Sequence, residues 1–462
     1  MIDTKKELFK WGPIDGMPIY IDPFAKSFAP FFAYSGIAWP ELAGCLLSGK
    51  ITFVADYASL REKGKELLEK YRKTSGKEHG KWLNAAKNLT PFIKKFGNKL
   101  DKTELVKAAY SWDLAYTDFW IKGFLPELAS WGAENILTEL LKGNENFAEI
   151  FESIAAPEKL SFFQAEELEL MKIAMMKDKA EAVKEHQRKY FWMENSYGST
   201  KVVKISNFLR RIGEINVSDA KIRAREISLY SGKMRARSKS CIEKYCLNEE
   251  IVSISGILRE FVSWQDERKK FIFMSNHAIT RILENASLCT SVPFDELLFY
   301  TMPEVIELLK AGKRINLHNR KEAFCMYYHG HGRLEYISGK KAFSVIAPLI
   351  SSRIDKSELR GMVVSRPDAG IVSGKARILS SPNEIARMKE GEILVTAMTS
   401  PDFINAMRKA KAIVTDEGGM TSHAAIISRE LGIPCIVGTK HATKSLKDGQ
   451  SITLDTKKGT VK

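Results

Sequence analysis

The chain has 462 residues, roughly two to four times the usual domain length, so at least two domains are expected. Hydrophobic residues at 44% and charged residues at 27% are ordinary globular proportions, which exclude long disorder, a collagen-like repeat and a small disulfide scaffold. Lys plus Arg number 71 against 56 Asp plus Glu, and the resulting charge of +15 points to an anionic partner: a nucleotide, nucleic acid, an acidic protein or a membrane surface.

Residues 1–60 read as an irregular segment packed on the helical region. Two short apolar runs there, 18–21 and 51–54, are expected as strands or extended connections. The N-terminus lacks the apolar core of a secretory signal. The most apolar stretch, 28–47, is interrupted by Pro30, Ser35, Pro40 and Glu41, so it fails as a membrane span and is expected as a buried element. Cys45, Cys241, Cys246, Cys289, Cys325 and Cys435 form no zinc-type pair of CxxC motifs and read as reduced, mostly buried thiols of a cytoplasmic protein.

From 61 to 340 the pattern is helical. Stretches 105–141, 165–194 and 241–284 carry apolar residues three and four apart between charges, with stops at Gly143-Asn144, Gly198-Ser199 and Pro293. Trp112, Phe119, Trp120, Phe124 and Trp131 recur at helical spacing and are expected in the core, with part of the cluster lining an apolar pocket as the alternative. The basic run 221–239, with Arg223, Arg225, Lys233, Arg235 and Arg237, reads as a solvated helix face or a partner-docking surface; no nucleic-acid motif accompanies it. His329 and His331 flank Gly330 with only Glu335 near, too thin a set for a metal, and no metal site is expected. Residues 341–360, with Pro348 and Ser351-Ser352, read as a hinge linker.

After Gly361 short apolar runs at 376–379, 393–395, 412–414, 435–437 and 451–454 read as strands, and 383–389, 401–410 and 422–431 as helices. Their interleaving predicts a small α/β domain over 361–462. The most informative segment is VTDEGGMTSHAAIISRELGIPCIVGT at 414–439, a strand, a glycine turn and a helix. Gly418 and Gly419 permit a backbone path that a Cβ would resist, and Thr421 or Ser422 can cap the helix. His423 then falls in the first helical turn, where free N–H groups and the positive dipole end support an anion. Neutral imidazole is a good nucleophile whose phosphoramidate can pass a phosphoryl group onward. Arg429, about two turns further on, could add charge to a phosphate through its long side chain. The local residues by themselves leave a core or capping histidine equally open.

This segment resembles the phosphohistidine signature of phosphoenolpyruvate-utilising enzymes through Thr415, Gly418-Gly419, Thr421-Ser422-His423, Arg429, Pro434 and Ile436-Val437-Gly438-Thr439. The resemblance extends over 361–462 by way of Gly370, Ser373-Gly374-Lys375-Ala376, Thr399-Ser400-Pro401, Asp448-Gly449 and Asp455 ahead of Gly459. It implies that His423 is the catalytic residue that carries phosphate, supported by Thr415, Gly418, Gly419, Thr421, Ser422 and Arg429. In the family pattern Thr415 orients the imidazole through a side-chain hydrogen bond, and the domain swivels between a donor and an acceptor site. The expected fold class is therefore multidomain: a mainly α-helical N-terminal and central region followed by a C-terminal α/β swivelling phosphohistidine domain. That order is similar to the last two-thirds of rifampicin phosphotransferase and to the histidine-bearing subunit of split phosphoenolpyruvate-synthase-like enzymes.

The sequence offers no room for the ATP-grasp unit or the barrel of complete relatives, and no Walker-type loop. The resemblance then implies a phosphotransferase subunit that is incomplete alone. Mg²⁺ and ATP would act through a separate ATP-grasp nucleotide-binding partner, and the acceptor would be a small organic molecule held by residues 61–340. A phosphocarrier or regulatory interaction protein, without a small-molecule product, is the alternative. His277 as a base and Arg320 as a phosphate contact are the acceptor-site candidates, against a hydrogen-bonded structural histidine and a structural ion pair as the more ordinary readings. Neither a membrane nor nucleic acid is expected as a partner.

Overall fold

A computed structural model describes the chain apart from residues 75–76, 97–98, 351–358, 367–369, 400–402 and 420–421. Its longest elements follow the 3.6-residue period. Lys102–Leu140 is a helix of 39 residues opened by a capping box, in which Glu104 N–H donates to Asp101 Oδ1 at 2.9 Å and Asp101 N–H to Glu104 Oε2 at 3.2 Å. Glu249–Thr290 runs for 42 residues from an Asn248 cap, whose Oδ1 accepts from Ile251 N–H at 2.9 Å. These two helices pack along one another, and Tyr57–Thr74 packs on the first. The approach of Tyr57–Thr74 is unusually close because both helices present glycine. A Cβ on Gly64 would stand 2.5 Å from Leu128 O and 2.6 Å from Gly132 N, and one on Gly132 would collide with the Gly64 backbone. The stretch 165–194 divides into Phe162–Ala174 and Ala180–Tyr190, and 241–284 is interrupted after Lys244, where Cys246 takes a left-handed φ of 47°.

Residues 1–60 are regular, which corrects the expectation of an irregular segment. They supply strands β1 (Leu8–Asp15), β2 (Leu42–Leu47) and β3 (Lys50–Asp56). After the helices come β4 (Phe324–Tyr328) and β5 (Leu334–Ser338), and the five form an antiparallel sheet of order β1-β3-β2-β4-β5. Run 51–54 lies in β3, whereas 18–21 opens the helix Pro18–Lys26, where proline at the first position presets φ. The stretch 28–47, expected to be buried, divides into the helix Phe28–Ser35, which exposes Phe32, and the almost wholly buried β2. His329 lies just beyond β4, with Nε2 3.0 Å from Glu335 Oε2 on β5. The expected linker 341–360 is likewise corrected in part: Gly339–Ile350 is a helix, and 351–358 lie outside the described residues.

The C-terminal domain is rich in strands, as expected. Its sheet holds β6 (Leu359–Arg360), β7 (Met362–Ser365), β8 (Ile371–Ile378), β9 (Ile393–Thr396), β10 (Ala412–Thr415), β11 (Cys435–Val437), β12 (Ser451–Asp455) and β13 (Thr460–Val461). The order is β6-β13-β12-β8-β9-β10-β11-β7, parallel from β8 to β11 and antiparallel towards both edges. Every residue of β9, β10 and β11 is buried, as parallel strands covered on both faces must be. Helices Ile404–Lys409 and His423–Leu431 flank the sheet. Apolar contacts run without a break from the long helices into this domain, through Leu394, Ile413, Ala425 and Val437. No described helix is long and apolar enough to cross a membrane.

Gly132→Ala is expected to destabilise the protein by about 1–3 kcal/mol through overpacking at the Gly64 crossing, although alanine is the better helix former. Urea unfolding should show a lower midpoint at unchanged slope. A midpoint at or above the wild-type value would contradict the crossing.

Candidate active site

Strands β9 and β10 are parallel neighbours with Val395 opposite Val414 and Thr396 opposite Thr415, so their C-terminal ends emerge side by side. Such an edge is where open parallel sheets place their ligand sites. After β10 the chain is pinned. Asp416 Oδ1 accepts from Thr443 N–H at 3.0 Å, and Thr415 O accepts from Thr439 N–H at 3.0 Å and Thr439 Oγ1 at 2.9 Å. Gly418 then takes φ +122°, and a Cβ there would stand 3.0 Å from Ser422 Oγ. The turn delivers Ser422 to the N-cap, where its Oγ accepts from Ala425 N–H at 3.3 Å. His423 is the first residue of the helix.

The ring of His423 has two different nitrogens. Nδ1 lies 2.8 Å from Thr399 Oγ1, while Nε2 is buried with no hydrogen-bond partner among the described residues. Burial, reinforced by the charge of Lys269, holds the imidazole pKa well below its ordinary value, so the ring is neutral at pH 7. Thr415, expected to orient the ring, does not. Its hydroxyl donates to Glu417 O at 2.6 Å, and Thr399 from the loop after β9 takes the place at Nδ1. Arg429 does not reach the site either: its Nε donates to Val364 O at 2.8 Å, on the β7 side of the helix. Thr421 lies outside the described residues.

His423, Ser422, Gly419, Gly418, Glu417 and Thr399 form one wall of a cavity of about 230 Å³. The other walls come from the helical region and the first sheet. Nine aromatic residues line it: Phe9, Trp11, Tyr20, Phe24, Trp39, Phe53, Trp120, Trp131 and Tyr197. Thus Trp120 and Trp131 of the sequence cluster face the cavity, whereas Trp112, Phe119 and Phe124 are core. Two polar stripes complete the lining. Glu127, Ser130, Trp131 and Glu134 on Lys102–Leu140, and Gln265, Arg268, Lys269 and Ile272 on Glu249–Thr290, each follow i, i+3, i+4, i+7 spacing. Arg268 binds the Glu127 carboxylate and the Gly123 carbonyl beneath Trp120, and Gln265 Nε2 donates to Pro126 O at 3.0 Å and Ser130 Oγ at 3.1 Å. These stripes were missed in sequence; polar residues at helical spacing on an otherwise apolar face were the available signal.

Charge in the cavity is shaped by burial. Burial pushes the Glu417 carboxyl up to about 7, with Asp416 adding to the rise. Burial lowers Lys10 and Lys269 from the usual lysine range, opposed by Glu417 and Asp266 respectively. Glu430, on the His423 helix, is raised to about 8 by burial and by Asp266 and Glu167 of the helical region.

Neither acceptor-site candidate lines the cavity. His277 lies five residues beyond Ile272, about 140° round the helix, with its ring 5.0 Å from Phe191. Arg320 is committed to Glu304 at 2.6 and 2.9 Å and to Phe299 O at 3.1 Å. In the basic run, Arg223, Arg235 and Arg237 pair with Glu167, Glu158 and Glu152. Among the described residues no group of three or more His, Cys, Asp or Glu is placed to hold a metal ion, so no residue here is assigned to Mg²⁺.

Residues 388–459, which contain Thr399 and His423, match the family described as PEP-utilising enzyme, mobile domain. This domain is what the chain shares with the phosphoenolpyruvate-utilising enzymes. It is 62% identical over 92 residues to a probable phosphoenolpyruvate synthase of Archaeoglobus fulgidus, a match covering 20% of this chain and 12% of that protein. It is 41% identical over 165 residues to the phosphoenolpyruvate synthase of Pyrococcus furiosus, covering 35% of this chain and 20% of that protein. A similar match, 54% over 89 residues, links it to the phosphoenolpyruvate synthase of Aquifex aeolicus, covering 19% and 10%. The chain thus spans a fifth or less of the curated relatives it matches here. The family resemblance lies in the mobile domain, while the aromatic cavity wall comes largely from outside residues 388–459.

Docking of the mobile domain on the helices should depend on pH. The carboxyls of Glu417 and Glu430 have folded values raised above the unfolded carboxyl value of 4.5, so their contribution is complete below pH 4.5 and lost as pH rises through about 7 and about 8. Small-angle scattering is expected to give a larger radius of gyration at pH 9 than at pH 6, with a smaller difference in Glu430→Gln. A wild-type radius that does not change over this window would contradict it.

Proposed function

We propose that this chain is a phosphotransferase subunit in which His423 Nε2 receives a phosphoryl group from a separate ATP-grasp nucleotide-binding protein and passes it to an organic hydroxyl in the aromatic cavity. The observation that carries the reading is the asymmetry of His423: one nitrogen hydrogen-bonded to Thr399, the other buried at the cavity wall with no partner among the described residues. With its proton on Nδ1 and shared with Thr399 Oγ1, the neutral ring keeps its lone pair on Nε2 as the nucleophile. The phosphoryl group on Nε2 would be favoured by the Lys269 charge and by the amides at the start of the His423–Leu431 helix. In transfer the acceptor oxygen forms the O–P bond and the N–P bond breaks. The electron pair returns to Nε2, and the hydroxyl proton passes to Glu417, whose value near 7 suits a general base.

Mg²⁺ and ATP belong to the donor half of this reading, where the ion neutralises phosphate charge. A separate donor is compatible with what faces His423 among the described residues, a largely aromatic wall. The helical region covers His423 in this arrangement, so a donor on another protein reaches it once the mobile domain lifts away. The six cysteines are all free thiols, which suits a reducing, cytoplasmic setting. A phosphocarrier with no small-molecule product would have little use for an aromatic cavity beside its phosphate-bearing nitrogen, and the cavity therefore favours the enzyme.

The test is intact-mass and peptide mapping at alkaline pH after incubation with Mg-ATP, with and without the ATP-grasp partner. Wild type should gain one phosphoryl group on the peptide holding His423, only with the partner, and His423→Ala none. Thr399→Val should load more slowly by on the order of 10–100-fold, because a misoriented ring loses its attack geometry. Equal labelling of His423→Ala, or no label on wild type from ATP, phosphoenolpyruvate or cell extract, would overturn the proposal.

A further inference from the structure

We infer that Cys45 and Cys325 form a reversible intrachain disulfide when the chain meets a small peroxide, so that the pair is a redox-responsive staple across the first sheet. Strand register sets the geometry. β2 and β4 are antiparallel, and Cys45 stands directly opposite Cys325 in their ladder, between the pairs Gly44–Met326 and Leu46–Phe324. Directly opposed residues project from the same face of a sheet. In an antiparallel ladder their Cα atoms are about 4.5–5.5 Å apart, inside the roughly 4.4–6.8 Å window of a disulfide. The two thiols also meet, because the Cys325 side chain hydrogen-bonds to that of Cys45. Cys435 is set against Ile413 and Ser365 instead, Cys241 and Cys289 lie on helices, and Cys246 follows the end of one.

Burial protects the reduced pair. Cys45 and Cys325 are 2% and 0% exposed, packed with Ile2, Ala342 and Ile346, the last two from the helix Gly339–Ile350. Tyr327, two residues beyond Cys325 and so on the same face, accepts from Ile2 N–H at 2.5 Å and pins that cover. Contact with Cys45 and burial together raise the Cys325 thiol above its ordinary value, so the protonated form holds at neutral pH. A bulky or charged reagent is therefore a poor match for the site, whereas a small uncharged peroxide is a good one. In the first step one sulfur takes an oxygen from the peroxide, giving a sulfenic acid and one water. The other sulfur then attacks it: the S–S bond forms, the S–O bond breaks, and the oxygen leaves with the second thiol proton as another water. In all, each sulfur gives up one electron and each peroxide oxygen gains one.

The bond joins two parts of the sheet that the sequence separates. β1, β2 and β3 come from the first 60 residues, β4 and β5 follow the helices, and β2–β4 is the ladder between them. A cross-link there closes a loop of nearly 300 residues, and long loops remove the most entropy from the unfolded chain. It also ties down a wall of the cavity. Phe9, Lys10 and Trp11 sit on β1, Leu42 on β2 and Phe53 on β3, so the oxidised form fastens this wall covalently to β4. His423 takes no part in the bond, and the inference stands apart from the phosphotransfer reading.

The test exposes the full chain to graded hydrogen peroxide, blocks remaining thiols with N-ethylmaleimide in guanidinium, and maps the peptides with and without reduction. Peptides linked through Cys45 and Cys325, lighter by two hydrogens and parted again by dithiothreitol, support the inference when far-ultraviolet circular dichroism is unchanged. The oxidised chain should also melt higher than the reduced one, by about 2–6 °C. Both the link and the rise should vanish in Cys45→Ser and in Cys325→Ala; the two variants guard against one failing to fold. Cys246 is exposed and serves as the internal control for delivery of the oxidant. Cys45 and Cys325 still reduced when Cys246 is fully oxidised would overturn the inference. So would links that join other cysteines instead, a link that appears only after the circular dichroism signal is lost, or a lower melting midpoint in the linked chain.

Discussion

The hydrogen bond between Thr399 Oγ1 and His423 Nδ1, 2.8 Å long, joins the loop after β9 to the start of the His423–Leu431 helix, which meet because β9 and β10 are parallel and in register. It divides the imidazole into an anchored nitrogen and one without a hydrogen-bond partner among the described residues, and much else in the molecule bears on the latter. The glycine turn places the histidine at a helix start, the β9 loop supplies the hydroxyl, and the helical region closes over both. A histidine on a flexible loop would titrate near its ordinary value and offer both nitrogens. Burial keeps this one neutral and leaves Nε2 as the nitrogen on which the proposed transfer would run.

Closing the cavity has an electrostatic cost that the structure distributes. Glu430 of the mobile domain lies near Asp266 and Glu167 of the helical region, where like charges and burial favour the protonated acid. Against that repulsion stands continuous apolar packing, together with ion pairs such as Arg408–Glu167 at 3.3 Å across the contact. The contact therefore sets apolar attraction and ion pairing against like-charge repulsion. The Gly64–Gly132 crossing plays the opposite part. It locks the Lys102–Leu140 helix firmly, and with it the cavity residues Ser130, Trp131 and Glu134.

The mobile domain was largely legible in the sequence. Parallel strands buried on both faces read as continuous apolar runs, so 393–395, 412–414 and 435–437 fell in β9, β10 and β11, and the signature around His423 is contiguous. What depends on contacts between distant segments was not legible. β2 pairs with β4 across nearly 300 residues, so neither half of that antiparallel sheet could be seen from its own neighbourhood. Thr415 and Thr399 both end or follow strands at the same sheet edge, and only their backbone turns decide which hydroxyl meets the ring. His277 shares the cavity helix but sits off the stripe that faces inward, and Arg320 is satisfied by Glu304. The cavity wall combines β1, the Pro18–Lys26 helix, two long helices and two mobile-domain loops. No single window of sequence contains enough of it to be recognised.

Nε2 of His423 is the proposed site of the phosphoryl group, with Thr399 occupying Nδ1. The most direct measurement is phosphorus–nitrogen correlation NMR on the ¹⁵N-histidine-labelled, phosphorylated chain at alkaline pH. One phosphorus bonded to Nε2 of His423, with Nδ1 still protonated, is the result the account predicts. Phosphorus on Nδ1, or on any other residue, would contradict it.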